Sequence, residues 1–276
     1  MLFPTLISFR RSPSLQILLV SLSVLLLPDR SFAQMQTSVY RVSPVVDGSI
    51  IGVTALSILL PEINANHLIH PRTIQSSEVN SLDRSAIGNS NTFLDTTSDI
   101  TTGAAVIAPV LLDWMDLGTS QEFLEDLTVY SETLSINGAL VTLAKYTVQR
   151  PLPRTYAGDP KLVNSPGGYR SFYSGHTSLT MASLSAASMT LNLRHHSGAL
   201  PWILTGAITL SVAAERVAAG RHFYTDVAVG AAAGALVGIL VPFFHERRKR
   251  ETSTSTVSFN FVPTPEGALA QWTRHF

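Results

Sequence analysis

Arg216-Val-Ala-Ala-Gly-Arg221-His222-Phe-Tyr-Thr-Asp226 stands between two apolar stretches, and its reading decides the fold. Leu200 to Ala214 before it reads as one apolar helix, and Thr225 to Phe244 after it as another. A charged joint therefore connects two greasy helices. His222 and Asp226 are four residues apart, about one turn of a helix, so the carboxylate is expected to hydrogen-bond one imidazole nitrogen. That bond fixes the tautomer and leaves the other nitrogen basic, as a histidine nucleophile requires. Arg216, six residues ahead, presents a planar fork of donors suited to an oxyanion. The same side chains, with Glu215, could equally form an ion-pair cluster at the helix ends.

Composition narrows the classes. Of 276 residues, 45% are hydrophobic and 14% charged, with a formal net charge of zero, so no basic field points to nucleic acid. With no cysteine, disulfides, thiolate nucleophiles and thiolate metal sites are excluded. Arg10 and Arg11 precede an apolar run from Leu15 to Leu27, and Ser31-Phe32-Ala33 offers the small residues of a cleavage site. Residues 1–33 thus read as a secretory leader cut before Gln34. Its removal takes three Arg and one Asp from a balance of 19 against 19, leaving a net charge of −2.

Residues 34–98 read as an N-terminal helix, Asp47 to Leu60, too short to span a bilayer comfortably, and a solvated polar segment. His67 and His70 lie in that segment with no third ligand nearby. Residues 99–250 read as a helical bundle. Ser98-Asp99 resembles a helix N-cap, Leu127 to Gln149 forms a long helix stopped by Pro151 and Pro153, and Thr155 to Arg170 is a loop able to act as a lid. Ser174-Gly175-His176 opens the next helix, whose N-terminal amides suit an anion. In the last helix Gly230, Gly234 and Gly238 form a small-residue face for close helix contact. His195, His196, His245 and His275 carry no motif and are expected to be solvated. Residues 251–276 form a tail in which Val257, Phe259 and Phe261 alternate with polar residues and allow a short hairpin.

The expected fold is therefore all-α, an antiparallel bundle of about six helices. Neighbouring helix ends alternate in such a bundle, so Lys145, Arg150, Ser174, Gly175, His176, Arg216, His222 and Asp226 all fall at one end. The chemistry this set suits is phosphoryl transfer without a metal or other cofactor. Lys145, Arg150, Arg216, the Ser174 hydroxyl and the Gly175 amide hold phosphate oxygens, His222 held by Asp226 attacks phosphorus, and His176 protonates the leaving alkoxide.

These stretches resemble the signature of the type 2 phosphatidic acid phosphatase superfamily, which includes class A acid phosphatases and vanadium haloperoxidases. The signature is Lys-x6-Arg-Pro, Pro-Ser-Gly-His and Ser-Arg-x5-His-x3-Asp. The third element matches at Arg216, His222 and Asp226, with Glu215 in place of serine. The second matches at Ser174, Gly175 and His176, with Tyr173 in place of proline. In the first, counted from Lys145, Leu152 stands where the arginine belongs; Arg150 or Arg154 is then expected to supply the guanidinium. The resemblance implies a metal-independent phosphatase with a phosphohistidine intermediate, acting on a phosphorylated lipid or small phosphate ester. A vanadate-dependent peroxidase and a non-catalytic envelope protein retaining the fold are the alternatives.

Location follows from the last helix, which is long enough to span and ends in Arg247-Arg248-Lys249-Arg250. The positive-inside rule puts those basics inside and the pocket on the outer face. Parity agrees if the leader is cut, Asp47–Leu60 does not cross and five later helices do. The Ser- and Thr-rich helix after Gly175 and the acidic link from Asp116 to Asp126 favour the opposite expectation, a soluble periplasmic protein.

Overall fold

The computed structural model describes residues 38–247 and two strands beyond them. The leader read at 1–33, the basic residues 248–250 and His275 lie outside the described residues. Six long helices run through the described part of the chain: α1 Pro44–Ile63, α2 Thr92–Leu117, α3 Gln121–Val148, α4 Gly175–His195, α5 Leu200–Ala218 and α6 Tyr224–His245. Residues 247–276 form a separate unit, in which strands β1 Val257–Thr264 and β2 Gly267–Arg274 pair antiparallel, Val257 opposite Arg274. The expected all-α bundle and tail hairpin are both present.

Local chemistry sets the helix starts. The Asn91 side chain accepts the Leu94 amide (3.1 Å), Ser120 that of Phe123 (3.2 Å) and Ser174 that of Thr177 (3.4 Å), each satisfying an amide the helix leaves unpaired. Two expected boundaries are corrected by these caps. Ser98 and Asp99 do not cap α2 but lie within it, and α3 starts at Gln121 rather than Leu127. The first helix is also longer than expected. At 20 residues, from Pro44, it spans about 30 Å.

The centre of the bundle is α4, which packs on α2, α3, α5 and α6, while α1 packs on α3. Its serines and threonines, which in the sequence favoured a soluble protein, are paired inside. Ser178 Oγ donates to Asn137 Oδ1 (2.6 Å), Ser183 Oγ to the Ala105 carbonyl (2.7 Å), and Ser188 and Thr205 share a hydrogen bond (3.0 Å). The apolar residues of the outer helices face outward: Val53, Ile100, Ile107, Leu210 and Leu236 are all exposed. Helices α1, α2 and α6 are long and apolar enough to cross a membrane. A bundle with hydroxyls inside and aliphatic side chains outside is built to associate with lipid.

Helix α6 lies hard against α4. A Cβ on Gly230, Gly234 or Gly238 would fall 2.7, 2.3 or 2.5 Å from the carbonyl oxygen of Ser174, Ser178 or Ala182. The expected small-residue face is thus a backbone-to-backbone contact. Gly234→Ala is expected to force the helices apart and cost about 1–3 kcal/mol, as overpacking does. Gly206→Ala, where a Cβ would meet nothing within 4 Å, should leave thermal stability in detergent unchanged or raised. Equal melting temperatures for the two variants would contradict the packing.

The segment between α1 and α2 is not the solvated loop expected. It buries Ile69, Val79 and Ala86, the last two in one cluster with Val217, Phe223 and Val227. The expected lid is likewise pinned. Leu152 N–H and Thr155 Oγ1 donate to the Gly168 carbonyl (2.9 and 2.8 Å), and Tyr169 Oη donates to the Arg72 carbonyl (2.9 Å).

Candidate active site

The joint between α5 and α6 is not helical at His222, because Phe223 is the N-cap and α6 starts one residue later. One-turn geometry therefore fails there. Nδ1 of His222 lies 3.9 Å from Asp226 Oδ2, and the expected carboxylate–imidazole hydrogen bond is not made. Nδ1 donates instead to the Ser171 carbonyl at 2.8 Å. A carbonyl can only accept, so the proton sits on Nδ1 and the lone pair of the neutral ring on Nε2. The expected tautomer is reached with a different partner.

Asp226 is fully buried and acts one step away. Its Oδ2 accepts the Ser171 hydroxyl (2.5 Å) and the Phe223 amide (2.9 Å), and its Oδ1 accepts Arg150 Nη1 (2.6 Å). Ser171 thus links Asp226 to His222, through its hydroxyl on one side and its carbonyl on the other. Burial, and behind it the charges of Lys145, Arg216 and His176, holds His222 well below the ordinary imidazole pKa; the Ser171 bond opposes this only in part. His222 is therefore neutral near pH 7.

Helix α2 supplies an acidic strip that faces the other candidates. His176 Nε2 pairs with Asp99 Oδ1 at 2.8 Å. Arg216 is 7% exposed; its Nη1 donates to Asp95 Oδ1 (2.9 Å), Ser98 Oγ (3.1 Å) and Asp99 Oδ1 (3.4 Å). Arg216 Nε is buried with no partner. Glu215, expected to compete for Arg216, accepts a hydrogen bond from Ser211 (3.2 Å) and has no ion pair with Arg216 among the described residues.

Lys145 Nζ donates to the Arg170 carbonyl (2.8 Å), and Gly175 packs beside it, a Cβ there falling 3.8 Å from Lys145 Cε. Ser174 is fully buried; its hydroxyl caps α4 and shares a hydrogen bond with Thr177 (3.0 Å), while its amide donates to the Asp226 carbonyl (3.1 Å). Lys145, His176, Arg216 and His222 thus act on one another at one end of the bundle. Leu152 is buried and brings no charge.

Arg150 is the candidate the structure sets apart. Nη1 donates to Asp226 Oδ1 (2.6 Å) and Thr225 Oγ1 (2.8 Å), Nη2 donates to Asp83 Oδ2 (2.8 Å), and the guanidinium lies 4.1 Å above the Phe223 ring. Asp83 also accepts the Thr225 amide (3.0 Å) and hydroxyl (2.6 Å), so it caps the start of α6. Arg150 is committed to two buried carboxylates. Arg150, expected to bind phosphate, is in this structure tied to Asp226 and, through Asp83, to the α6 terminus. Arg154, the other substitute considered, is held by Asp159 at 2.6 Å.

Sequence reasoning missed Ser171, Asp99, Asp95, Ser98 and Asp83 as partners in this site. The available signal was slight: Asn80 with Asp83 three residues on is a local cap, and Ser171 sits three residues ahead of Ser174. A cavity of about 560 Å³, lined by Pro109, Phe123, Leu184 and Leu204, occupies the opposite end and holds none of the candidate residues.

A helical bundle that associates with lipid and gathers two histidines, an arginine and a lysine at one end defines the class. Residues 126–250 match the PAP2 superfamily, the family whose signature the sequence resembles. Two solved structures are similar. One is the crystal structure of Aquifex aeolicus LpxE (23% identity, TM-score 0.43), covering 58% of this chain and 92% of its own. The other is a transmembrane PAP2 type phosphatidylglycerolphosphate phosphatase from Bacillus subtilis (21% identity, TM-score 0.45), covering 74% of this chain and 98% of its own. No curated relative matches the chain.

Proposed function

We propose that the protein is a phosphatase that hydrolyses a phosphate or diphosphate monoester carried on a lipid, through a phosphohistidine on His222. One observation carries this reading: a buried, neutral His222 with its proton fixed on Nδ1 lies under the charges of Lys145 and Arg216. Nε2 attacks phosphorus and the bond to the leaving oxygen breaks. His176, tied to Asp99 through Nε2 and partly exposed, acts as the imidazolium when it gives that oxygen the proton on Nδ1, and as the neutral ring when it takes one from the water that releases phosphate from His222. Lys145, Arg216 and the first amides of α4 hold the phosphoryl oxygens, and the unpartnered Arg216 Nε–H supports that role. The apolar outer faces let a lipid-borne ester approach from the side.

The site faces outward in this reading, because the basic run after α6 is retained inside. Tyr40 pairs with Glu246, so both ends of the helical unit lie on one side, away from the site. If all six helices cross, an outward site and removal of residues 1–33 at the outer face exclude each other. The parity expected with a non-crossing first helix does not fit an α1 that runs from Asp47 beside His245 to Glu62 beside Arg170.

The test is hydrolysis of a panel of lipid and soluble phosphate esters across pH. Only neutral His222 attacks, and its pKa is depressed, so the acid limb of kcat/KM attributable to it should fall well below the ordinary pKa of about 6.5. The linked stability has the same sign. It is present above about pH 6.5 and is lost as pH falls, because the unfolded chain takes the proton first. EDTA should leave the initial rate intact. No hydrolysis of any ester, or abolition of the rate by EDTA at a temperature where the protein stays folded, would contradict the proposal.

A further inference from the structure

Asp47, Glu132 and His245 meet at the end of the bundle away from the proposed catalytic residues, on α1, α3 and α6. Glu132 lies 13 residues before Lys145 on the same helix, about 20 Å along its axis. His245 was expected to be solvated; it is instead enclosed, with Nε2 at 3.5 Å from both Asp47 Oδ1 and Glu132 Oε2. Both acids are 4% exposed, and Glu132 Oε2 is buried with no hydrogen-bond partner. The charged groups facing Glu132 are His245 and Asp47. Two carboxylates therefore share one imidazole, and if both are ionised even an imidazolium balances only one of them.

The spacing distinguishes two explanations. A charge-assisted N–H···O bond closes to about 2.7–2.9 Å, and neither 3.5 Å contact does so. Two ligands on one tetrahedral ion, each about 2.1 Å from the metal, stand about 3.4 Å apart. The three ligand atoms lie within 4.8 Å of one another, as a shared ion requires. His245 Nδ1 donates to the Val241 carbonyl (2.8 Å), which fixes the proton there and turns the Nε2 lone pair toward the acids, the usual support for a metal-bound histidine. The Ser43 amide donates to Asp47 Oδ2 (2.6 Å), leaving Oδ1 for the ion. The Arg41 amide donates to the His245 carbonyl (2.7 Å), so the chain on either side is held as well.

We propose that Asp47, Glu132 and His245 bind one divalent transition-metal ion that clamps α1, α3 and α6 together. The donor set, one imidazole and two carboxylates, suits Zn²⁺ and Mn²⁺ better than Mg²⁺, which takes oxygen ligands and keeps its water. A fourth position is left for water. The ion has a structural role, separate from the phosphoryl chemistry proposed at the other end.

The test uses the full chain, purified in detergent without a histidine tag, stripped with EDTA and dialysed against Zn²⁺ or Mg²⁺. Wild type should retain about one Zn²⁺ per chain by elemental analysis and melt at higher temperature with Zn²⁺ than with Mg²⁺. Glu132→Gln and His245→Gln should each weaken Zn²⁺ binding by more than the roughly 10–100-fold that loss of an outer partner costs, and remove the thermal shift. Phosphate-ester hydrolysis by these variants reports that they are folded. Should Glu132→Gln not fold, His245→Gln carries the test. His195→Ala, outside the cluster, should bind as wild type does. Wild type retaining no Zn²⁺, or Glu132→Gln retaining it unchanged, would overturn the proposal in favour of an ion triad without metal.

Discussion

Replacing His222 with Ala is expected to lower turnover of a hydrolysed phosphate ester by roughly 10⁴- to 10⁶-fold, the cost of losing a nucleophile or its direct partner. The size of the effect follows from the ring's setting. His222 is 4% exposed, donates from Nδ1 to Ser171 and is kept neutral, so no other group among those gathered there is equally prepared to attack phosphorus. Lys145 and Arg216 are proposed to hold the phosphoryl oxygens, and His176 is bound to Asp99. A rapid quench in base should trap an acid-labile phosphoryl group on wild type and none on His222→Ala. A variant that turns over as wild type does would remove His222 as nucleophile, and with it the phosphohistidine. Substrate affinity should change little, because the groups that grip the oxyanion are left in place.

Arg150→Ala is expected to act on the fold instead. Removing this guanidinium leaves Asp226 and Asp83, both fully buried, without their cation, and breaking a buried pair in this way costs about 3–5 kcal/mol. Against a typical total of about 5–15 kcal/mol this is a large loss, to be read as a fall in melting temperature in detergent. Lys would restore one of the contacts and recover part of the stability, since it lacks the fork that reaches Asp226, Thr225 and Asp83 at once. A phosphate ligand would behave differently. If Arg150→Ala kept wild-type stability and raised KM, Arg150 would be returned to the binding role that the sequence suggested.

The chain shows where local spacing is enough. The two apolar stretches around Arg216–Asp226, the cap at Ser174 and the glycines of α6 are patterns within one or two helices, and each has its structural counterpart. Placement of the cations and histidines at one end followed from counting helices. What failed was the assignment of partners. Asp99 reaches His176 across 77 residues and Asp83 reaches Thr225 across 142, with no motif to announce either. The His222–Asp226 spacing was legible, yet it assumed a helix that begins only after His222. Helix α4 misled by composition, because a row of serines and threonines reads the same whether it faces water or four neighbouring helices.

The sequence by itself determined which segments are helices and that Lys145, His176, Arg216 and His222 sit near their ends, since apolar length, caps and prolines act over a few residues. Tertiary structure alone decided that Ser171 rather than Asp226 bonds His222, that Arg150 pairs with Asp83 and Asp226, and that His245 meets two acids. The reason is physical. A buried charge must find a partner wherever the folded path brings one within hydrogen-bonding range, and that path is set by the packing of whole helices.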